Sequence, residues 1–310
     1  GIVGCGVLWP LLDPGPAPAK DSDAPVVRIV QPNAAQDLKW LPGYAQQFFD
    51  RALDLTRGDG PADLVVWPET SVPWLLDQAG LPLEQAAEAG GGAPVVLGLV
   101  REDDGGYYNS LVVVGEGGEV ADLYDKHHLV PFGEYLPFSA VARRIGLRGL
   151  AEMMGAGYES GPGPHLVDLP GIGPVLPLIC YEGIFAEEVG AAPGRPRALI
   201  LITNDAWFGT RAGPQQHLAQ GRLRAIEQGI PMVRAANTGI SAMIDARGRV
   251  LATIPLGEAG AIDVPLPAAR PTTLYARTGD APVLVVLALL VIGAAIVSRR
   301  SGIDGTAATA

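Results

Sequence analysis

Eight short β-branched runs, several of them apolar without alternation, constrain this chain more than any other feature. They are VVRIVQ (26–31), DLVVWPE (63–69), PVVLGLV (94–100), SLVVVGE (110–116), GPVLPLICYE (173–182), ALILITND (198–205), PMVRAAN (231–237) and SAMID (241–245). A strand with one face in water alternates apolar and polar residues, whereas a strand covered on both faces does not. Between some of the runs lie helical stretches. Residues 43–57 place Tyr44, Phe48, Ala52 and Leu55 along one face and stop at Gly58. Residues 214–228 begin at Pro214 and end before Gly229, the asymmetry expected of a helix. GEGGEV (115–120) and DARGRV (245–250) read as hairpin turns that add antiparallel edges. The expectation is one α/β domain over residues 26–270.

The two ends carry the expectations about location. APVLVVLALLVIGAAIV (281–297) is an uncharged run of 17, preceded by Asp280 and followed by Ser298, Arg299 and Arg300. That is the lower edge of what spans a bilayer as a helix, and the run lacks the polar face of a core helix. A transmembrane helix is expected over 281–298. The arginine pair puts the tail 299–310 in the cytoplasm and the large domain on the outer side of the membrane. The start, GIVGCGVLWPLL (1–12), is apolar and gives way to a Pro/Ala-rich linker over 13–25. It is expected to be the end of a longer hydrophobic helix, and the chain part of a larger membrane protein.

Composition removes several classes. The net charge of −11, with no basic stripe, argues against a nucleic-acid partner. Four histidines and two cysteines show no metal-ligand spacing, so a metal site is not supported. Cys5 lies in the apolar start, so a disulfide framework is not expected.

Cys180 ends the apolar run LPLI and is followed at once by Tyr181, Glu182 and Gly183. A free cysteine there is either a small core residue or a nucleophile held out over a pocket. Other polar groups also gather where strands end. Glu69 stands just past Val65-Val66-Trp67 behind Pro68. Lys126 and Glu134 lie eight residues apart around a Pro-Phe-Gly turn. Asn204, Asp205 and Trp207 end one strand and Asn237 another. A thiol of pKa about 8.5 is mostly protonated at neutral pH and needs a base. A glutamate in a dry pocket can take that proton. A fixed ammonium, with the backbone N–H after the nucleophile, can stabilise a tetrahedral oxyanion. Glu69, Lys126 and Cys180 supply these three roles.

PET, YDKHHLVPFGEYLP, LICYE and NDAWFG, in this order and spacing, resemble the nitrilase (carbon–nitrogen hydrolase) superfamily over residues 26–265. The match is closest to its apolipoprotein N-acyltransferase branch, because of the hydrophobic helix, the KHHLVPFGEYLP block and NDAWFG after the cysteine strand. The resemblance implies a nitrilase-like four-layer α-β-β-α sandwich followed by one transmembrane helix. It implies a triad of Glu69 as base, Lys126 as oxyanion partner and Cys180 as nucleophile. Glu134, Tyr181 and Glu182 would support the triad, and Trp40 and Trp207 would lie near the substrate pocket. The implied reaction moves an acyl chain from a phospholipid to the N-terminal amine of a diacylglyceryl-cysteine lipoprotein, through a thioester and without a cofactor. The implied place is a bacterial inner membrane, with the catalytic domain on the periplasmic side of a multi-pass protein.

A nitrilase-type amidase acting on a small amide or nitrile would use the same triad, since water and an amine are alternative attackers of one thioester. The apolar helix and the hydrophobic loops around 131–138 and 147–154 favour the acyltransferase. A membrane-anchored binding module would have one triad position replaced, and none is. A serine hydrolase is poorly supported, because Gly239-Ile240-Ser241-Ala242-Met243 lacks the final glycine of the elbow motif.

Overall fold

Every one of the eight runs contains a strand. A computed structural model describes residues 23–135 and 157–306. The hydrophobic start 1–12, most of the linker 13–25 and the loop 147–154 lie outside the described residues. Among those described there are twelve strands: β1 (Val26–Gln31), β2 (Leu64–Val66), β3 (Val95–Asp103), β4 (Gly106–Val114), β5 (Val120–Asp125), β6 (Val167–Leu169), β7 (Gly173–Ile179), β8 (Ala198–Thr203), β9 (Met232–Ala236), β10 (Ser241–Ile244), β11 (Val250–Ile254) and β12 (Gly260–Pro265). They form two six-stranded sheets, ordered β12-β1-β2-β3-β4-β5 and β11-β10-β9-β8-β7-β6. Each sheet has three neighbouring parallel strands, β1-β2-β3 and β7-β8-β9, flanked by antiparallel ones.

Three apolar clusters account for the missing alternation. Between the sheets, Val27, Ile29, Leu64 and Val66 meet Ile179, Ile200, Ile202 and Val233. The intervening residues point outward. Val65, Trp67, Leu97 and Val112 pack under helices α1 (Pro42–Arg57) and α2 (Gly80–Gly90). Leu176, Leu199, Leu201 and Met232 pack with residues of α3 (Ala186–Gly190) and α4 (Gly213–Gln228). The order of layers is therefore helix, sheet, sheet, helix. Both faces of the central strands β2, β8 and β9 are buried, as continuous apolar runs require.

The buried face of α1 differs from the expected one. Phe49, Ala52, Leu53 and Thr56 are buried, while Tyr44 is 44% exposed. The helix carries two apolar stripes, and aromatic partners select between them. Phe49 packs edge-on against Trp67 at 5.8 Å and Trp74 at 5.1 Å, whereas Tyr44 only stacks on Phe48 of its own helix. Helix α2 gave no legible signal because it opens on Gly80-Leu81-Pro82, a turn-like sequence.

The chain divides into two compact units, the first ending at Pro271 and the second beginning at Thr272. In the second, Thr273 caps α5 (Leu274–Thr278) by accepting from the Ala276 N–H at 3.0 Å. Helix α6 spans Ala281–Thr306, and its stretch Ala281–Ser298 is long and apolar enough to cross a membrane, with none of it buried.

Candidate active site

The strand directions bring the expected residues to shared ends. Strand β5 runs in the same sense as β2, because the antiparallel β3–β4 and β4–β5 steps cancel. Glu69 past β2 and Lys126 past β5 therefore leave sheet one at the same end. In sheet two the parallel strands β7, β8 and β9 deliver Cys180, Asn204 and Asn237 past their carboxyl ends. That is where open α/β sheets place their sites. The backbone N–H of Asn204 donates to Glu69 Oε2 at 2.8 Å and joins the two ends.

Glu69 is buried and held from several sides. Its Oε1 accepts from Asn109 Nδ2 at 2.7 Å and lies 3.8 Å from the Lys126 ammonium. The next residue, Thr70, has φ 45°, a left-handed conformation costly outside glycine. Lys39 holds this turn, donating to the Thr70 hydroxyl at 2.7 Å and the Glu69 carbonyl at 3.3 Å. Burial brings Lys39 down to about 8, against the opposing charge of Glu69. The turn lies against β3, where a Cβ added at Gly98 would sit 2.5 Å from the Thr70 nitrogen and 2.8 Å from Glu69 Cα. Both are backbone atoms that cannot yield separately. Gly98→Ala is expected to displace Glu69 and lower turnover on the order of 10²-fold, the scale for a misplaced group if Glu69 is the base. Unchanged turnover by a folded alanine variant would contradict this placement.

Lys126 is 1% exposed and donates to Glu134 Oε1 at 2.7 Å. Burial disfavours its ammonium, but the charges of Glu69, Cys180 and Glu134 outweigh that, and its pKa is raised above the usual lysine value. Glu134 is fixed in turn, accepting from the Val130 N–H at 2.8 Å through Oε2. Tyr158 faces the same charges. Burial, then Glu69 and Glu134, push its phenol up to about 12 against Lys126.

Cys180 opens the short 3-10 turn Cys180–Ile184 at the end of β7 and is 6% exposed. Its φ is 52°, so a bulky, non-glycine residue turns the chain sharply at the strand end. Strain of this kind clusters at functional sites. Burial pushes the thiol up to about 12, with Glu69 raising it further and Lys126 opposing. The resting thiol is thus neutral. Its alkylation by iodoacetamide is expected to keep rising roughly tenfold per pH unit beyond pH 9, where an ordinary thiol of pKa about 8.5 levels off. A plateau near pH 8.5 in the measured rates would show that the thiol is exposed.

Glu182 is fully buried and spans the two sheets. Its Oε1 accepts from the His127 N–H at 2.7 Å, the His128 N–H at 3.2 Å and the Tyr124 hydroxyl at 3.0 Å. Its Oε2 accepts from the Ile179 N–H at 2.7 Å. This carboxylate ties the strand before Cys180 to the segment after Lys126. Tyr181 packs edge-on against Phe185 at 5.0 Å and His128 at 5.5 Å. Trp40 and Trp207 are 50% and 67% exposed. Each belongs to a segment hydrogen-bonded to Glu69, one through Lys39 and the other through Asn204.

Asn109, Lys39 and His217 also belong to this constellation, and sequence reading missed them. Asn109 sits mid-strand in an ordinary YYNS, and His217 lies mid-helix, so neither carries a local signal. Among the described residues, no group of three His, Cys, Asp or Glu side chains could hold a metal ion.

The carbon-nitrogen hydrolase family model matches residues 26–276. Two relatives named apolipoprotein N-acyltransferase come from Rhodopseudomonas palustris and Rhizobium meliloti. The first is 40% identical over 292 residues, covering 89% of this chain and 54% of that protein. The second is 43% identical over 269 residues, covering 83% and 51%. The chain thus spans about half the length of the curated relatives it matches. Among solved structures, a CN-hydrolase superfamily protein from Xanthomonas campestris, with an arsenic adduct in its active site, aligns with a TM-score of 0.58 at 18% identity, covering 79% of this chain and 91% of that one. A mutant amidase from Nesterenkonia sp. AN1, with the acetamide moiety of fluoroacetamide added covalently at its active-site cysteine, aligns at 0.57 and 19%, covering 80% and 94%. These likenesses reproduce the two-sheet nitrilase-like fold. Resting on the model matched over most of its length, the chain belongs to the carbon–nitrogen hydrolase family.

Proposed function

We propose that the chain is the catalytic part of a membrane acyltransferase that moves a fatty acyl group from a phospholipid to the N-terminal amine of a diacylglyceryl-cysteine lipoprotein. The observation that carries this reading is the buried Cys180 thiol, whose ionisation is opposed first by burial and then by the Glu69 carboxylate and favoured by the Lys126 ammonium, those two charges lying 3.8 Å apart. The 40% and 43% identical relatives named apolipoprotein N-acyltransferase support the acyl and lipoprotein parts of it.

In the proposed reaction Glu69 takes the Cys180 proton as the sulfur attacks the ester carbonyl. Lys126 and the Tyr181 N–H face the oxyanion, and the expelled lysophospholipid oxygen takes the proton back from Glu69. A thioester remains on Cys180. The lipoprotein amine then attacks it, gives up its proton to a carboxylate of the site and releases the amide, and the sulfur is reprotonated. Glu134 holds Lys126, Glu182 holds the nucleophile's turn, and Trp40 and Trp207 offer exposed aromatic surface beside the entrance.

The reading is tested by supplying the acylated protein with a diacylglyceryl-cysteine peptide. Loss of the acyl group from Cys180 with its gain on the peptide amine is expected. Release as free fatty acid at the same rate with and without peptide would instead favour a hydrolase.

Helix α6 would anchor the domain to a bacterial inner membrane, with residues 299–310 in the cytoplasm and residues 26–270 on the periplasmic side. A cysteine placed after Ser301 is expected to resist a membrane-impermeant thiol reagent in intact cells, and one placed in 13–25 to react. The reverse labelling pattern would overturn the orientation.

A further inference from the structure

Behind the nucleophile lies a buried polar circuit joined to Cys180 through its backbone carbonyl. The Cys180 carbonyl accepts from His217 Nε2 at 3.2 Å. His217 Nδ1 stands 2.9 Å from Asp205 Oδ1 and 3.2 Å from Arg234 Nη2. Asp205 Oδ1 accepts from the Thr203 hydroxyl at 3.0 Å. Thr203, Asp205, His217 and Arg234 are all between 0% and 3% exposed. The surroundings are shaped to hold them. A Cβ at Gly239 would lie 2.2 Å from Asp205 Oδ2, and the Phe208 ring packs edge-on against His217 at 5.3 Å.

The direction of one bond gives the circuit its meaning. A carbonyl only accepts, so Nε2 carries the proton in the His217 contact. The 180–181 peptide is planar and trans, so its carbonyl and its N–H point in opposite directions. Whatever pins the Cys180 carbonyl toward α4 aims the Tyr181 N–H away from α4. Cys180 is in the left-handed region at φ 52°, where a cysteine has no intrinsic reason to stay. The restraint has to come from outside the residue.

We propose that His217 is a positioning residue for the nucleophile. By holding the Cys180 carbonyl, with Asp205 and Arg234 fixing its ring, it aims the Tyr181 N–H at the oxyanion formed during acylation. This rests on the acyl-enzyme reading given above. His217 touches no reacting atom; it acts through the peptide that does.

The test separates a step that builds an oxyanion from one that does not. The full chain and its His217→Leu and His217→Gln variants are acylated with p-nitrophenyl acetate and, separately, alkylated at Cys180 with iodoacetamide. Leucine fills the place of the ring without a donor, while glutamine can offer an N–H to the same carbonyl. The leucine variant is expected to acylate on the order of 10²-fold more slowly, the measured scale for losing one oxyanion donor, with alkylation changed by less than about threefold and glutamine restoring acylation to within about tenfold. Acylation of the leucine variant at the wild-type rate would overturn the proposal, as would equal loss of acylation and alkylation. If the leucine variant does not fold, His217→Phe, which keeps the ring's shape and has no N–H to donate, is expected to give the same selective loss of acylation. Wild-type protein that alkylates but never acylates would overturn the acyl-enzyme reading, and this proposal with it.

Discussion

Glu69→Gln is expected to leave Cys180 unacylated by phospholipid, a loss of 10²-fold or more, on the scale of a removed general base. The thiol is buried and pushed up to about 12, so it reaches the reactive form only by handing its proton to a neighbour. The amide cannot take that proton, yet it fits the site. Asn109 Oδ1 is buried without a hydrogen-bond partner, so rotation of the Asn109 amide would present that oxygen to the new NH2 group. The Asn204 N–H would keep its acceptor. Glu134→Gln should behave differently. Its amide oxygen can still accept from Lys126, and Lys126 keeps Glu69 at 3.8 Å, so some acyl-enzyme should form while transfer to the amine slows. Hydroxylamine-sensitive acyl labelling of both variants decides this. Equal labelling of the two would refute the division of roles.

Cys180→Ser and Cys180→Ala are each expected to abolish transfer without unfolding the domain. Both replacements meet the same backbone strain at φ 52° as cysteine does, so neither changes the cost of the turn. The serine hydroxyl is a far weaker nucleophile with the same base, and a loss of at least about 10²-fold follows if sulfur chemistry limits the rate. The alanine variant removes the nucleophile altogether. Near-normal transfer by either, measured on a folded protein, would show that the thioester route is wrong.

The strands were legible because apolar runs without alternation mark strands covered on both faces, while the four layers were expected from the resemblance of the motifs. VVRIVQ became β1 with the same boundaries. The residues expected to form a triad lie together for a related reason: each follows a strand end, and strands running in one sense deliver such positions to one rim. The rest was hidden by long-range pairing. Asn109 is 40 residues from Glu69, and His217 is 37 residues from Cys180, so no local pattern marks either. The positive φ at Cys180 was equally silent, since cysteine does not advertise a left-handed turn as glycine does. The face of α1 was misread because its choice depended on Trp67 and Trp74, outside the helix.

Cys180 is the residue expected to carry the acyl group. Mass spectrometry of the protein after incubation with phosphatidylethanolamine vesicles tests this directly. The Cys180 peptide should gain the mass of one fatty acyl chain, removable by hydroxylamine, and should gain nothing in the Glu69→Gln variant. An unmodified Cys180 peptide in wild-type protein that has turned over phospholipid, or an acyl group found on another residue, would contradict the account.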